Sequence, residues 1–301
     1  MRQSAVVNKV TNKGTIHFSN TTGSSQLHVN VGLGGVVGGV SALPDDDFAV
    51  TVSNSVNDGE VSRVATAAAQ KSSSVCGGIV GILKGTGSLV SECTNTGLVK
   101  NEALNSTTYD DSFDPLASDG SGQAAGGIVG FVLGASADAV MVSNCTNSGE
   151  CYTARGYVGG VVGYARSAKL SGCRHKTALV SGAASYSRVG GVTGHISAAA
   201  ITDCHVENAT LDGMSQGNTG GISGGMTSAA SATNATVSAT IQNSVSSGRA
   251  GAIVGYSLAG VTITDCGAKG MIGKASTLAE ITTANFDGNN KATISGSYIL
   301  Q

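Results

Sequence analysis

Seven times along the chain a short apolar segment bracketed by glycine returns. It reads GGVVG at Gly34, GGIVG at Gly77 and again at Gly126, GGVVG at Gly159, GGVTG at Gly190, GGISG at Gly220 and GAIVG at Gly251. The intervals are 43, 49, 33, 31, 30 and 31 residues, so the last four are nearly constant and the two long ones mark insertions. A fixed interval of this kind means that each unit stacks on its neighbours and buries a shared core.

A second motif follows the first. It runs VSNSVNDG from Val52, VSECTNTG from Val90, VSNCTNSG from Val142, LSGCRHK from Leu170, ITDCHVEN from Ile201, IQNSVSSG from Ile241 and ITDCGAKG from Ile263, with a partial copy, NKVTNKG, at Asn8. A third apolar stretch closes each unit, as at Leu98-Val99, Leu179-Val180 and Thr210-Leu211. One unit therefore reads as three short strands separated by Gly, Asn and Ser turns.

Three short strands in about 30 residues predict one coil of a solenoid. A helical solenoid is excluded because the apolar runs are β-branched and interrupted by Gly. A propeller blade needs four strands and a longer repeat. No hexapeptide period of a left-handed β-helix is present. The expected fold is all-β: a right-handed parallel β-helix of about seven or eight coils with three short strands each. At about 4.8 Å per coil the rod is roughly 35–40 Å long.

Composition agrees. Of 301 residues 45 are Gly, two are Pro and none is Trp, and only 12% are charged. Gly does not recur every third residue, which excludes collagen. No run of about 18 apolar residues could form a membrane helix. With 17 basic and 19 acidic residues there is no cationic excess for nucleic acid. The opening MRQSAVVNKV lacks the apolar core of a secretory signal. That leaves an intracellular protein or a mature segment of a larger one, and a repeat already under way near Val6 favours the segment.

Position by position, the repeat predicts columns of stacked side chains. Val36, Ile79, Ile128, Val161, Val192, Ile222 and Ile253 are always β-branched and are expected inside. The next column, Val37, Val80, Val129, Val162, Thr193, Ser223 and Val254, admits hydroxyls and is expected outside, because successive strand residues face opposite ways. The paired glycines mark a corner that β-carbons would obstruct, or one needing positive φ. Cys93, Cys145, Cys173, Cys204 and Cys266 share a column with Ser55, Ser244 and Val10, which predicts a small inward site holding free thiols. An occasional disulfide is the other reading, with Cys145 and Cys151 one pair. Just before each lies Glu92, Asn144, Gly172, Asp203, Asn243 or Asp265, a turn position tolerant of the left-handed region. Asn12, Asn57, Asn95 and Asn147 are placed to stack as an amide ladder.

The tandem GGIVG segments followed by VSNCTNSG resemble the GLUG-type repeats of large bacterial surface proteins, over residues 6 to 275 or so. The resemblance implies an extracellular β-helical rod, adhesin-like, within a larger surface protein. Its partners would be host or matrix glycans or a surface protein, with no cofactor and no catalytic residues to carry over.

The candidate ligand-binding residues follow from the columns. The residue after each GGxxG is Ile82, Phe131, Tyr164, His195, Gly225 or Tyr256. If this column points outward, Phe131, Tyr164 and His195 form an exposed aromatic stripe suited to sugar rings, with Arg166 beside it. The alternative is a stripe covered by a neighbouring segment. The insertion at 101–125 carries Tyr109 and Phe113, which could border the stripe, and Asp110, Asp111 and Asp114, which could bind Ca²⁺ or simply be solvated. For a polysaccharide-active enzyme, a lyase or glycosidase, the pair to consider is Asp203 and Asp265, about 10 Å apart across two coils. The whole chain is expected to be one β-helix domain, with residues 1–30 an N-terminal cap or partial first coil and 277–301 a C-terminal cap.

Overall fold

In the computed structural model, residues 3–20, 31–40, 48–65, 74–103, 123–136, 139–183, 187–213, 217–243, 248–274 and 276–301 are described. The chain is a parallel β-helix. Four sheets run along it, and a strand of each belongs to nearly every coil. The first sheet has nine strands, from Gln3–Asn8 to Thr293–Ser295. The third has seven and the fourth six, while the second is broken at a corner into shorter pieces. One coil illustrates the path: Val140–Ser143, then Thr146–Asn147 and Cys151–Thr153, then Tyr157–Gly159, then Val162–Arg166. A coil thus has more strands than the three expected. Among the described pairings only Gly267–Lys274 with Thr277–Glu280 is antiparallel.

The corner after the first sheet is made by one residue in the left-handed region on every coil. These are Lys9, Asn54, Glu92, Asn144, Gly172, Asp203, Asn234 and Asp265, with φ between 50° and 65°. Asn, Asp and Gly tolerate that conformation, which explains their recurrence there. After Asp203 the next such residue is Asn234, not the expected Asn243. Ile241 pairs with Leu211 and Ile272 in the second sheet, so the IQNS segment only mimics the motif. Ala235 takes the place foreseen for Ser244, which lies outside the described residues.

The thiols fill that next column. Cys93, Cys145, Cys173 and Cys204 are buried on consecutive coils, and all seven cysteines are free. Cys145 and Cys151 are not bridged. Cys145 stands in the column, whereas Cys151 lies on the next strand against the Asn147 amide at 3.5 Å. The stacked sulfurs interact with one another. Hydrogen bonds from Cys145 and Cys204 hold the Cys173 thiol well below its ordinary pKa. The same bond to Cys173 raises Cys145 and Cys204.

The amide ladder forms as the spacing predicts. Asn12 donates to Asn57, Asn57 to Asn95, and Asn95 to Asn147, each Nδ2 to Oδ1 at 2.7 Å. His175 takes the next rung, its Nδ1 accepting from Asn147 at 3.2 Å while Nε2 donates to the Ala178 carbonyl. Val206 and Val237 continue the column.

The paired glycines face this ladder at close range. None has positive φ. A β-carbon on Gly78 would lie 2.5 Å from Cγ of Asn95 and would overlap the Gly127 carbonyl. The steric reading of the glycines is therefore correct. The chain folds sharply there, so the third-sheet strand and the fourth-sheet strand that follows it form an arch. Both sides of the bend reach the core: Ile79, Ile128 and Val161 are buried, and so are Val80, Val129 and Val162. The second column does not face outward, because strand alternation fails at a bend.

Residues 3–20 already form strands of a first coil, in register with the next. At the other end, buried Phe286 stacks on the Ile253 position, Thr293–Ser295 extends the first sheet and Tyr298–Ile299 the second. No helix among the described residues is long and apolar enough to cross a membrane.

Candidate functional site

The arch creates a second, smaller core outside the main one. It contains Val75, Ile82, Ala124, Phe131, Leu133, Tyr157 and Tyr164. The register stacks Ile82, Phe131, Tyr164, His195 and Gly225 on successive coils, as expected from the repeat. Their orientation is different from the expectation. Phe131, Tyr164 and His195 are each 0% exposed. They are not a sugar-binding stripe on the surface, because the preceding third-sheet strand lies across them.

The covering residues stand two places before each glycine pair. Ala124, Tyr157, Arg188, Asn218 and Arg249 are in register there. Tyr157 stacks with Tyr164 at 5.1 Å and with His195 at 5.3 Å between ring centroids. Phe131 and Tyr164 are 5.5 Å apart, and Tyr164 and His195 5.2 Å. Offset aromatic contacts at such distances add to burial. Arg188 Nη1 lies 2.7 Å from Nδ1 and 2.9 Å from Nε2 of His195. Its guanidinium also lies 5.6 Å from the Tyr157 ring and 5.4 Å from Tyr256, whose other neighbour is Arg249 at 5.0 Å. The ladder therefore passes from apolar at Ile82 to cationic at Arg188 and Arg249. Sequence reasoning missed Tyr157 and Arg188, although their common offset from the glycines was a usable signal.

Arg166 has another setting. It ends its fourth-sheet strand in register with Leu133 and Lys84, and it remains half-buried. A cavity of about 160 Å³ opens here, lined by these three residues and by the turns at Gly85–Thr86 and Gly134–Ala135. Lys84 and Leu133 are 9% and 8% exposed, so the floor is apolar and one of the two cations is largely enclosed.

Tyr109, Phe113, Asp110, Asp111 and Asp114 lie outside the described residues. The neighbouring strands extend to Ala103 and resume at Gln123, so the insertion is shorter than 101–125. Among the described residues no group of three His, Cys, Asp or Glu side chains could hold a metal ion. Asp203 and Asp265 share their corner column, with Asn234 between them donating to Asp203 Oδ1. Both are at left-handed positions, which turn geometry explains.

No family model matches the chain, and no curated protein does. One solved structure is similar, the 1.30 Å crystal structure of "a putative immunoglobulin A1 protease from Bacteroides ovatus". Identity is 14% and the TM-score 0.48, with 84% of this chain and 69% of that one covered. At that level of likeness nothing about activity passes to the present chain.

Proposed function

We propose that the chain is a non-enzymatic β-helical module of a bacterial surface protein, adhesin-like, serving as a rod that presents a binding surface. The observation that supports this reading is the use made of its reactive side chains. Five of the seven thiols lie in one core column, four Asn and one His are joined in an internal ladder, and Phe131, Tyr157 and Tyr164 fill the arch. Side chains that would serve chemistry at a surface are here spent in the repeat itself. The resemblance to GLUG-type repeats points the same way. Its ligands would be glycans or surface proteins, and its setting extracellular.

A carbohydrate-active enzyme is the second reading, carried by the two carboxylates on one column. The experiment runs both together. Purified protein is offered to an array of neutral and acidic glycans, and to polysaccharides assayed for new reducing ends. Binding without chain shortening is the expected result. Shortening that disappears in Asp203→Asn or Asp265→Asn would replace the adhesin reading with the enzyme.

A further inference from the structure

We infer that the stacked thiols of Cys145 and Cys173 form a two-coordinate site for a soft monovalent cation, of which Cu(I) is the biological example. The inference is independent of the adhesin reading, and three observations carry it. First, the sulfurs form a row. Cys93, Cys145, Cys173 and Cys204 stand on consecutive coils, with the residues on both sides of them in register. Their settings repeat. Cys93, Cys145 and Cys173 each direct Sγ at the carbonyl two residues before, at 3.2, 3.2 and 3.6 Å, and at a carbonyl of the preceding coil, at 3.7, 3.8 and 3.5 Å. Sulfurs in equivalent settings repeat at the coil spacing, about 4.8 Å. A cation midway between two of them, with metal–sulfur bonds of about 2.3 Å, spans about 4.6 Å. The row therefore accepts it without moving the backbone.

Second, a row selects its cation. Each sulfur meets other sulfurs only above and below, so an ion between two coils finds two ligands on one line. Zn²⁺ wants four ligands in a tetrahedron, and among the described residues no group of three His, Cys, Asp or Glu could supply even most of them. Paired thiolates suit Cu(I).

Third, the central pair is prepared for the charge it would carry. Binding is M⁺ + 2 RSH → [RS–M–SR]⁻ + 2 H⁺, with no electron transferred. The product keeps one negative charge in a core where an isolated anion is costly. Cys93 is hydrogen-bonded to Cys145, and Cys204 to Cys173. Once the two inner protons have left, an outer S–H is in place to donate to the complex at each end. No other pair in the row has a spare thiol on both sides. Packing alone does not demand sulfur here. Ser55 takes the same place with its hydroxyl on the Ser53 carbonyl at 2.9 Å, and buried Ala235 fills it on the coil after Cys204. The row lies one residue behind the left-handed corner, and at Cys173 that corner is Gly172, which has no side chain to cover it.

The test titrates the reduced whole chain with Cu(I) under anaerobic conditions, against the chelator bicinchoninate. One Cu(I) should be retained and two protons released, with the circular dichroism of the sheets unchanged. X-ray absorption should find two sulfurs around the copper and no further ligand. Zn²⁺ should not be retained. Cys145→Ser and Cys173→Ser should each lose the ion, whereas Cys266→Ser, separated from the row by Ala235, should keep it. Cys173→Ala, after the precedent of Ala235, repeats the test should the serine variant fail to fold. In the parent, Cu(I) should raise the melting temperature, because it binds the folded rod. A lowered melting temperature would mean that copper captures the unfolded chain, and would overturn the inference. So would no retained copper, three or more sulfurs around it, or full retention in both Cys145→Ser and Cys173→Ser. Two retained ions would place them at Cys93–Cys145 and Cys173–Cys204 and overturn the assignment to the central pair.

Discussion

Gly78 and Asn95 stand so close that a β-carbon on the glycine would lie 2.5 Å from the amide carbon of the asparagine. The two recurrent motifs are therefore one device: the glycine pair leaves room for the ladder. Gly78→Ala should lower stability by about 1–3 kcal/mol through overpacking, read from the urea midpoint. Gly14→Ala is the control, because its nearest atom would be Asn12 Oδ1 at 3.8 Å. That variant should be neutral. Equal midpoints for the two would show that the close approach is not what selects glycine.

Asn95 sits in mid-ladder, buried, donating to Asn147 and accepting from Asn57. Asn95→Ala strands one Asn57 N–H and takes a donor from the Gly97 carbonyl, while Asn147 Oδ1 keeps the Gly149 N–H; a buried group left unpaired costs about 1–3 kcal/mol. Asn12→Ala removes an end rung that is only half-buried. Chemical denaturation should rank Asn95→Ala well below Asn12→Ala. The reverse order would mean that the amides act singly.

His175 gives the protein a pH dependence. Burial depresses its pKa from 6.5 to about 4. The folded imidazole is thus neutral where the unfolded one would be charged. Its contribution is fully present above pH 6.5 and falls as pH drops towards 4. One pKa unit corresponds to about 1.4 kcal/mol, so the total loss is on the order of 3 kcal/mol. His175→Asn, which installs the residue found on the preceding rungs, should flatten the stability profile over that window. A profile as steep as that of the parent would assign the effect elsewhere.

Tyr164 is now expected to matter for stability. Removing a fully buried ring from the arch should cost about 3–5 kcal/mol, measured by thermal or denaturant unfolding. Were Tyr164→Ala as stable as the parent, the ring would have to be exposed in solution.

The thiols offer a probe of the core. All seven are buried, and burial pushes Cys76 and Cys151 up to about 12. The native protein should not react with a thiol-specific reagent at neutral pH, and the denatured protein should show seven reactive groups. Rapid labelling of one thiol without unfolding would locate an opening in the rod.

Much of this was legible because a repeat reports the same environment many times. Asn12, Asn57, Asn95 and Asn147 share one offset, and one offset in a parallel β-helix means one column. The left-handed corner was readable because few residues accept it, although at 234–235 the column carries Ala where others carry Cys, and in the sequence Ser244 looked the better match. The arch was not legible. Alternation assigns Val161 and Val162 to opposite faces, and only a bend between them lets both enter the core. Tyr157 and Arg188 vary too much along their column to announce a covering strand. Lys84 and Arg166 are ordinary cations until register brings them to one cavity.

The ladder has one further property. Every amide in it donates in the same sense, from Asn12 towards His175. Backbone dipoles in a sheet largely cancel, but these side-chain dipoles add along the axis. The rod therefore carries an internal arrow, with its positive head against the acceptor nitrogen of His175. A proton placed on that nitrogen would meet the head of the arrow, so the imidazole acts as the terminus that keeps the whole row aligned.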